Sequence, residues 1–130
     1  MNIKALQKIK DSIESLVFYN HLGDPLFFLR DGVGYSYKGD PLFFLKDNTI
    51  YSFRGDHLGW VEDGWVLDTN GDFVFYTEKA PNFIQKPAVR VHPTLPITSV
   101  TPVYPTNIIS KATPYKTMRL VDYRRTKFKF

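Results

Sequence analysis

The sequence predicts an all-β protein: a pseudo-fourfold ring of four short antiparallel β-hairpins, with an N-terminal amphipathic helix and an extended Pro-rich basic tail. Three observations carry that expectation. Gly-Asp recurs at Gly23-Asp24, Gly39-Asp40, Gly55-Asp56 and Gly71-Asp72, each step being 16 residues. Each unit holds two short apolar runs divided by residues that favour tight turns. A strand-like segment ahead of the first unit matches the strand that the last unit lacks. The chain divides accordingly into residues 1–16 (helix), 17–80 (repeat domain) and 81–130 (tail).

The units read GDPLFFLRDGVGYSYK, GDPLFFLKDNTIYSFR, GDHLGWVEDGWVLDTN and the truncated GDFVFYTEKA. First strands are expected over Leu26–Leu29, Leu42–Leu45, Leu58–Val61 and Phe73–Thr77. Asp31-Gly32, Asp47-Asn48 and Asp63-Gly64 follow as turns, because these residues tolerate positive φ. Second strands run over Val33–Lys38, Thr49–Arg54 and Trp65–Thr69. Their alternation predicts Val33/Tyr35/Tyr37, Thr49/Tyr51/Phe53 and Trp65/Leu67 toward the core, with Gly34/Ser36 and Ile50/Ser52 facing away.

Pro81 stands where the fourth unit needs its second strand. Val17 to His21 occupies the equivalent place one period before the first unit. Pairing it with Phe73–Thr77 completes eight strands and closes the ring, removing a free edge. Units this short must share one core around the axis. Two columns are expected to line it: aliphatic Leu26, Leu42, Leu58 and Val74, and aromatic Phe28, Phe44, Trp60 and Tyr76. Spacing of two places both on the same face of a strand.

Short hairpins of the pattern G-[DR]-x-[LI]-G-[WF]-x-[ED]-[DG], best seen in GDHLGWVEDGWVLDTNGDFVFYTEKA (Gly55 to Ala80), resemble the four-fold beta-flower proteins, a bacterial family without an assigned activity. The resemblance covers roughly residues 17–80. It implies the fourfold fold and a proline-rich basic tail, and it implies no catalytic residues. Phe27 and Phe43 depart from it where Gly59 stands.

Ile3, Leu6, Ile9, Ile13 and Leu16 recur at three- and four-residue steps with charges between, which predicts an amphipathic helix plugging one mouth of the ring. A partner-binding or membrane-surface helix is the alternative. At the other end, Pro87, Pro96, Pro105 and Pro114 are nine residues apart, as are Pro93 and Pro102, and Val91, Val100, Ile109 and Met118 keep the same step. Four nine-residue units beside four hairpins suggest a belt, its every-ninth apolar residue seated between hairpins. In extended form at ~3.1 Å per residue it reaches ~110 Å, against a girth of roughly 95 Å for the body.

Charge supports the same arrangement. Residues 1–80 carry eight Lys/Arg against twelve Asp/Glu, and residues 81–130 carry nine against Asp122 alone. The basic end either neutralises the acidic body or reaches outward to nucleic acid, a membrane or an acidic partner.

Chemistry-bearing signals are sparse. With no cysteine there are no disulfides, thiolate metal sites or cysteine nucleophiles. His21, His57 and His92 form no metal-ligand spacing. Asp68, Asn70 and Asp72 begin like a calcium loop, but Phe73 and Lys79 break the pattern. Ser36 and Ser52 have no histidine or base in repeat register with them. No cofactor is expected, and no apolar run approaches the ~20 residues of a membrane span; the expected setting is cytoplasmic. The favoured reading is a non-enzymatic binding module with an unknown protein partner. One alternative is a nucleic-acid or anionic-surface binder acting through Arg119, Tyr123, Arg124, Arg125, Lys127, Phe128, Lys129 and Phe130. In that stretch a final strand, with Tyr123, Phe128 and Phe130 buried and the cations solvated, competes with a phosphate grip. The other alternative is a small molecule on the axis, held by the aromatic column.

Overall fold

The computed structural model of the protein describes residues 15–98, 105 and 108–130. Eight antiparallel strands form a closed barrel in chain order: β1 (Leu16–Tyr19), β2 (Pro25–Arg30), β3 (Val33–Tyr35), β4 (Pro41–Lys46), β5 (Thr49–Tyr51), β6 (His57–Glu62), β7 (Trp65–Asp68) and β8 (Phe73–Tyr76). The ring closes where the repeat demands it. β1 pairs with β8 through Tyr19 and Tyr76, joining the ends of the repeat region and leaving no open edge. Of the N-terminal helix expected over residues 1–16, residues 1–14 lie outside the described residues, and Leu16 opens β1 instead of ending a helix.

Two kinds of turn alternate around the ring. At one end, Asp31-Gly32 and Asp63-Gly64 both have positive φ, the backbone of a two-residue hairpin turn, and Asp47 shares it. At the other end each connection is pinned by its own first side chain. The side-chain oxygen of Asn20 accepts the N–H groups of Leu22 and Asp24, and Asp68 accepts those of Asn70 and Asp72. Ser36 and Ser52 do the same for Lys38 and Asp40, and for Arg54 and Asp56. Asn, Ser and Asp at these 16-step positions supply the short acceptor that lets a side chain imitate a turn. β3 and β5 therefore stop at Tyr35 and Tyr51, short of the expected Lys38 and Arg54.

Four bulges decide what faces inward. Phe18 pairs with Phe27 and Tyr19 with Pro25, so Leu26 is the extra residue. Leu42, Leu58 and Val74 are the extra residues at the three equivalent places. A bulge turns two consecutive side chains toward one side. The aliphatic column thus joins the central cluster, with Leu58 and Val74 buried in it and Leu26 and Leu42 packed against it. The aromatic column does not. Phe28 and Phe44 lie in a second cluster, and Trp60 and Tyr76 in a third.

The inward position is the one between the two expected columns. Phe27, Phe43 and Phe75 come from non-adjacent strands, and Phe27 meets the other two edge-on at 5.1 and 5.0 Å. Phe18, Ile50 and Val66 complete the interior. Inside and outside are likewise exchanged on the second strands: Ile50 is interior, whereas Val33, Tyr35 and Tyr51 belong to the outer cluster of Phe28. Both faces of the sheet are buried, so polarity alternation could not tell them apart.

Gly34 and Gly59 break the interior pattern for steric reasons. A Cβ on Gly34 would lie 2.3 Å from Cζ of Phe43, and one on Gly59 would lie 2.0 Å from the carbonyl oxygen of Leu67. Gly34→Ala is expected to lower stability by about 1–3 kcal/mol through overpacking. Adding Phe43→Leu should return part of that loss by shortening the side chain in the way. Urea denaturation of the two single variants and the double variant measures the coupling; additive losses would place the crowding elsewhere.

Candidate functional site

Beyond β8 the described residues hold no strand and no helix except a 3₁₀ turn at Tyr123–Arg125, capped by the Asp122 side chain on the Arg124 N–H. This C-terminal stretch contains the binding residues expected from sequence, and the barrel divides them. Phe73 donates its N–H to the Arg119 carbonyl at 2.7 Å and accepts that of Val121 at 2.9 Å. A parallel bridge, Phe73 to Leu120, stands in place of the expected final strand. The chain then crosses the barrel end that carries the Gly-Asp turns and returns into the core.

Phe128 is fully buried and meets Phe75 edge-on at 5.4 Å. Its Cζ would stand 3.0 Å from a Cβ on Gly59, so the C-terminal ring fills the place of the inward side chain that β6 lacks. Phe130 packs on Phe27, Phe43 and Phe75 with centroids 5.6–6.0 Å apart, and Tyr123 packs on Phe75 at 5.5 Å. The axis is therefore filled with rings from the protein itself, and the aromatic column once expected to hold a ligand there lies on the outer face.

The cations of the stretch also separate. Arg119 binds the buried carboxylate of Asp72 at 3.1 Å, and Arg124 binds Asp122 at 2.6 Å. Those hydrogen bonds hold the Asp122 carboxyl well below the usual carboxylate range. His21 sits 3.7 Å from the same carboxylate. Arg125, Lys127 and Lys129 are exposed and pair with no carboxylate among the described residues. Beside them a cavity of about 340 Å³ is lined by Asp56, His57, Leu58, Lys127 and Lys129. Burial pushes the His57 imidazole below its ordinary value, and the charges of Lys111 and Lys127 push the same way. No group of three or more His, Cys, Asp or Glu among the described residues could hold a metal ion.

Upstream of this cap, the tail meets the outer face of the barrel at successive turns. Arg90 donates its N–H to the Gly23 carbonyl at 2.9 Å and its guanidinium to Asp24 at 2.7 Å. Pro96, Pro105 and Pro114 pack over Gly39, Gly55 and Gly71. Thr117 donates its N–H to the Gly71 carbonyl, and Lys116 pairs with Glu62. Val91, Ile109 and Met118, expected between hairpins, instead are exposed at 96%, 78% and 46%, and Val100 lies outside the described residues. The seated side chains are Val89, Leu95 and Ile108.

A family model for the 4-fold beta flower protein matches residues 17–129, so its span takes in the cap as well as the hairpins. The chain belongs to the 4-fold beta flower family. No curated protein and no solved structure matches it. Within this beta flower no helix of the described residues is long and apolar enough to cross a membrane.

Two site features escaped the sequence reading. One is the role of Gly59 as a notch for Phe128, for which the signal was Gly in a column otherwise Phe27, Phe43 and Phe75. The other is the pinned turn at residues 20, 36, 52 and 68, visible as a 16-step series of short polar side chains.

Phe128→Ala is expected to cost about 3–5 kcal/mol, measured by chemical denaturation followed at the tryptophans. Asp68 supplies a pH-dependent test. Burial raises its carboxyl above the ordinary value, so at neutral pH its charge opposes folding, and the opposition fades as pH falls through the raised value. Asn20 makes the same turn without a charge. Asp68→Asn should therefore be more stable than the parent chain at neutral pH, with the difference shrinking in acid; a constant difference across pH would show that desolvation of the carboxylate is not the cause.

Proposed function

We propose that this beta flower is a non-enzymatic binding module of the cytoplasm, with residues 81–130 strapped around the barrel and the basic cap as the face that docks an acidic protein partner. The observation that carries the reading is the division of labour within the C-terminus. Phe128 is buried in the core and anchors the segment; Phe130, expected to be buried, packs on Phe27, Phe43 and Phe75 but stays 41% exposed, and Arg125, Lys127 and Lys129, at alternate positions, are exposed and carry no counter-ion from the described residues. Such a cluster attracts negative charge over several ångströms and raises the encounter rate with a complementary surface. The neighbouring cavity, lined by Leu58 and by Lys127 and Lys129 among others, gives one partner side chain room to enter.

A labelled glutamate-rich peptide and a labelled single-stranded oligonucleotide serve as probes. The peptide should bind the full chain, and the triple reversal Arg125→Glu, Lys127→Glu, Lys129→Glu should weaken it by at least about tenfold. Binding of the oligonucleotide alone, falling steeply with salt, would replace the acidic partner by nucleic acid. Binding of neither probe would remove the cap from consideration.

A further inference from the structure

Buried polar atoms in folded proteins nearly always have a hydrogen-bond partner, and one left open calls for a reason. Nε2 of His57 is such an atom. His57 opens β6, where its ring meets the Trp60 ring edge-on at 4.4 Å and the Tyr51 ring at 5.6 Å. The same residue stands in the wall of the cavity of about 340 Å³ beside the cap, with Asp56, Leu58, Lys127 and Lys129. Two aromatic neighbours thus hold the imidazole at a cavity wall with one nitrogen unengaged.

The charges around it are mostly of one sign. Lys127 and Lys129 belong to the C-terminal cap and pair with no carboxylate among the described residues. Lys111 belongs to the tail and is fixed by its backbone: its carbonyl accepts from Trp60 Nε1 at 2.8 Å, and its N–H donates to the Thr49 hydroxyl at 3.0 Å. Asp56 is the one carboxylate of the lining, and it accepts from the Ser52 hydroxyl at 3.5 Å. The Tyr51 hydroxyl is committed to the Ile109 carbonyl. Two lysines against Asp56 leave one positive charge in the lining, which a singly charged anion neutralises. Leu58 offers an apolar contact to the methylene groups that carry such an anion on a side chain.

We propose that this cavity is a carboxylate pocket, taking a glutamate side chain of the acidic partner between Lys127 and Lys129, and that His57 gains a proton from solvent as the carboxylate enters. The inference rests on the basic cap being the docking face, and it names the group recognised there. Before entry, burial and then the charges of Lys111 and Lys127 hold His57 below its ordinary value, so the imidazole is neutral at neutral pH. A carboxylate alongside offsets the lysine charges and favours the imidazolium, which raises the value in the complex. Between the two values the complex holds one more proton than its separated parts, so binding tightens as pH falls through that interval. Glutamate stays ionised at about pH 6 and above, so the change belongs to the imidazole.

The test titrates the labelled glutamate-rich peptide into the full chain at about pH 6 and about pH 8, and follows the His57 imidazole by NMR. The parent chain should bind about tenfold more tightly at the lower pH, with the His57 titration moved upward by the peptide. His57→Gln, which cannot take up the proton, should show the weaker affinity at both. A peptide that binds through Arg125, Lys127 and Lys129 yet leaves the His57 titration unmoved overturns the pocket and leaves the docking face standing. No binding at either pH overturns both. Should His57→Gln fail to fold against Trp60 and Tyr51, calorimetry of the parent chain in two buffers of different ionisation heat decides. Proton uptake on binding between about pH 6 and about pH 7 supports the pocket, and no uptake overturns it.

Discussion

The constraint on which the rest of this structure depends is the filling of a narrow axis. In each sixteen-residue unit the position after the bulge, 27, 43, 59 and 75, faces the centre beside the bulged aliphatic residue. Phenylalanine at all four would put four rings around one point. At position 59 even a methyl group is barred, because the Leu67 carbonyl lies too close. The barrel therefore has three rings and a notch, and a barrel closed around a void of that size would lose the dispersion contacts of every residue lining it. Phe128 fills the notch from the far end of the chain. Phe128 in the notch holds the stretch after Tyr123 against the barrel end, with Lys127 and Lys129 exposed on either side of it.

That dependence explains why the repeat domain and the tail share one fate despite their opposite compositions. The tail's ion pairs to the barrel, Arg90 with Asp24, Lys116 with Glu62 and Arg119 with Asp72, involve at least one exposed partner in two of three cases, with Arg90 and Arg119 about 70% exposed. Pairs of that kind contribute about 0–1 kcal/mol each. Burial of one Phe128 side chain outweighs any one of them. The charge division between acidic body and basic tail is then a device for register and encounter, and the apolar notch supplies the holding energy.

Much of the fold was legible in the sequence because turn chemistry is local. Asp-Gly at the hairpins and the 16-residue step of Gly-Asp specify eight strands, and the orphan segment near Phe18 specifies closure. The orientation of the strands was not legible. Spacing of two between Leu26 and Phe28 implies a shared face only if the strand is regular, and the bulge at Leu26 adds one residue to the count. Periodicity offered no correction, since the outer face is as apolar as the inner one: Val33, Tyr35 and Tyr51 are as buried as Ile50 or Val66 in practical terms. The same double burial hid the candidate site. Arg119 to Phe130 alternates basic and aromatic residues, which suggests a strand; the chain instead sinks Phe128 into the core, leaves Tyr123 half-buried and Phe130 exposed against it, and keeps the cations at the rim.

The two periods of the chain have a common geometric origin. A strand pair with its two turns consumes sixteen residues while advancing a quarter of the way around the ring, because most of its length runs along the barrel. A segment lying across the outside of the same quarter needs only its arc. Nine residues in fully extended form reach about 28 Å, and Pro96, Pro105 and Pro114 lie at that step against Gly39, Gly55 and Gly71, one to a hairpin. In the layer of outward aromatic side chains Trp60 and Tyr76 meet the tail with their donors, at the carbonyls of Lys111 and Pro87. Half of the aromatic column therefore holds the tail by its backbone, linking two parts of the sequence that share no residue pattern.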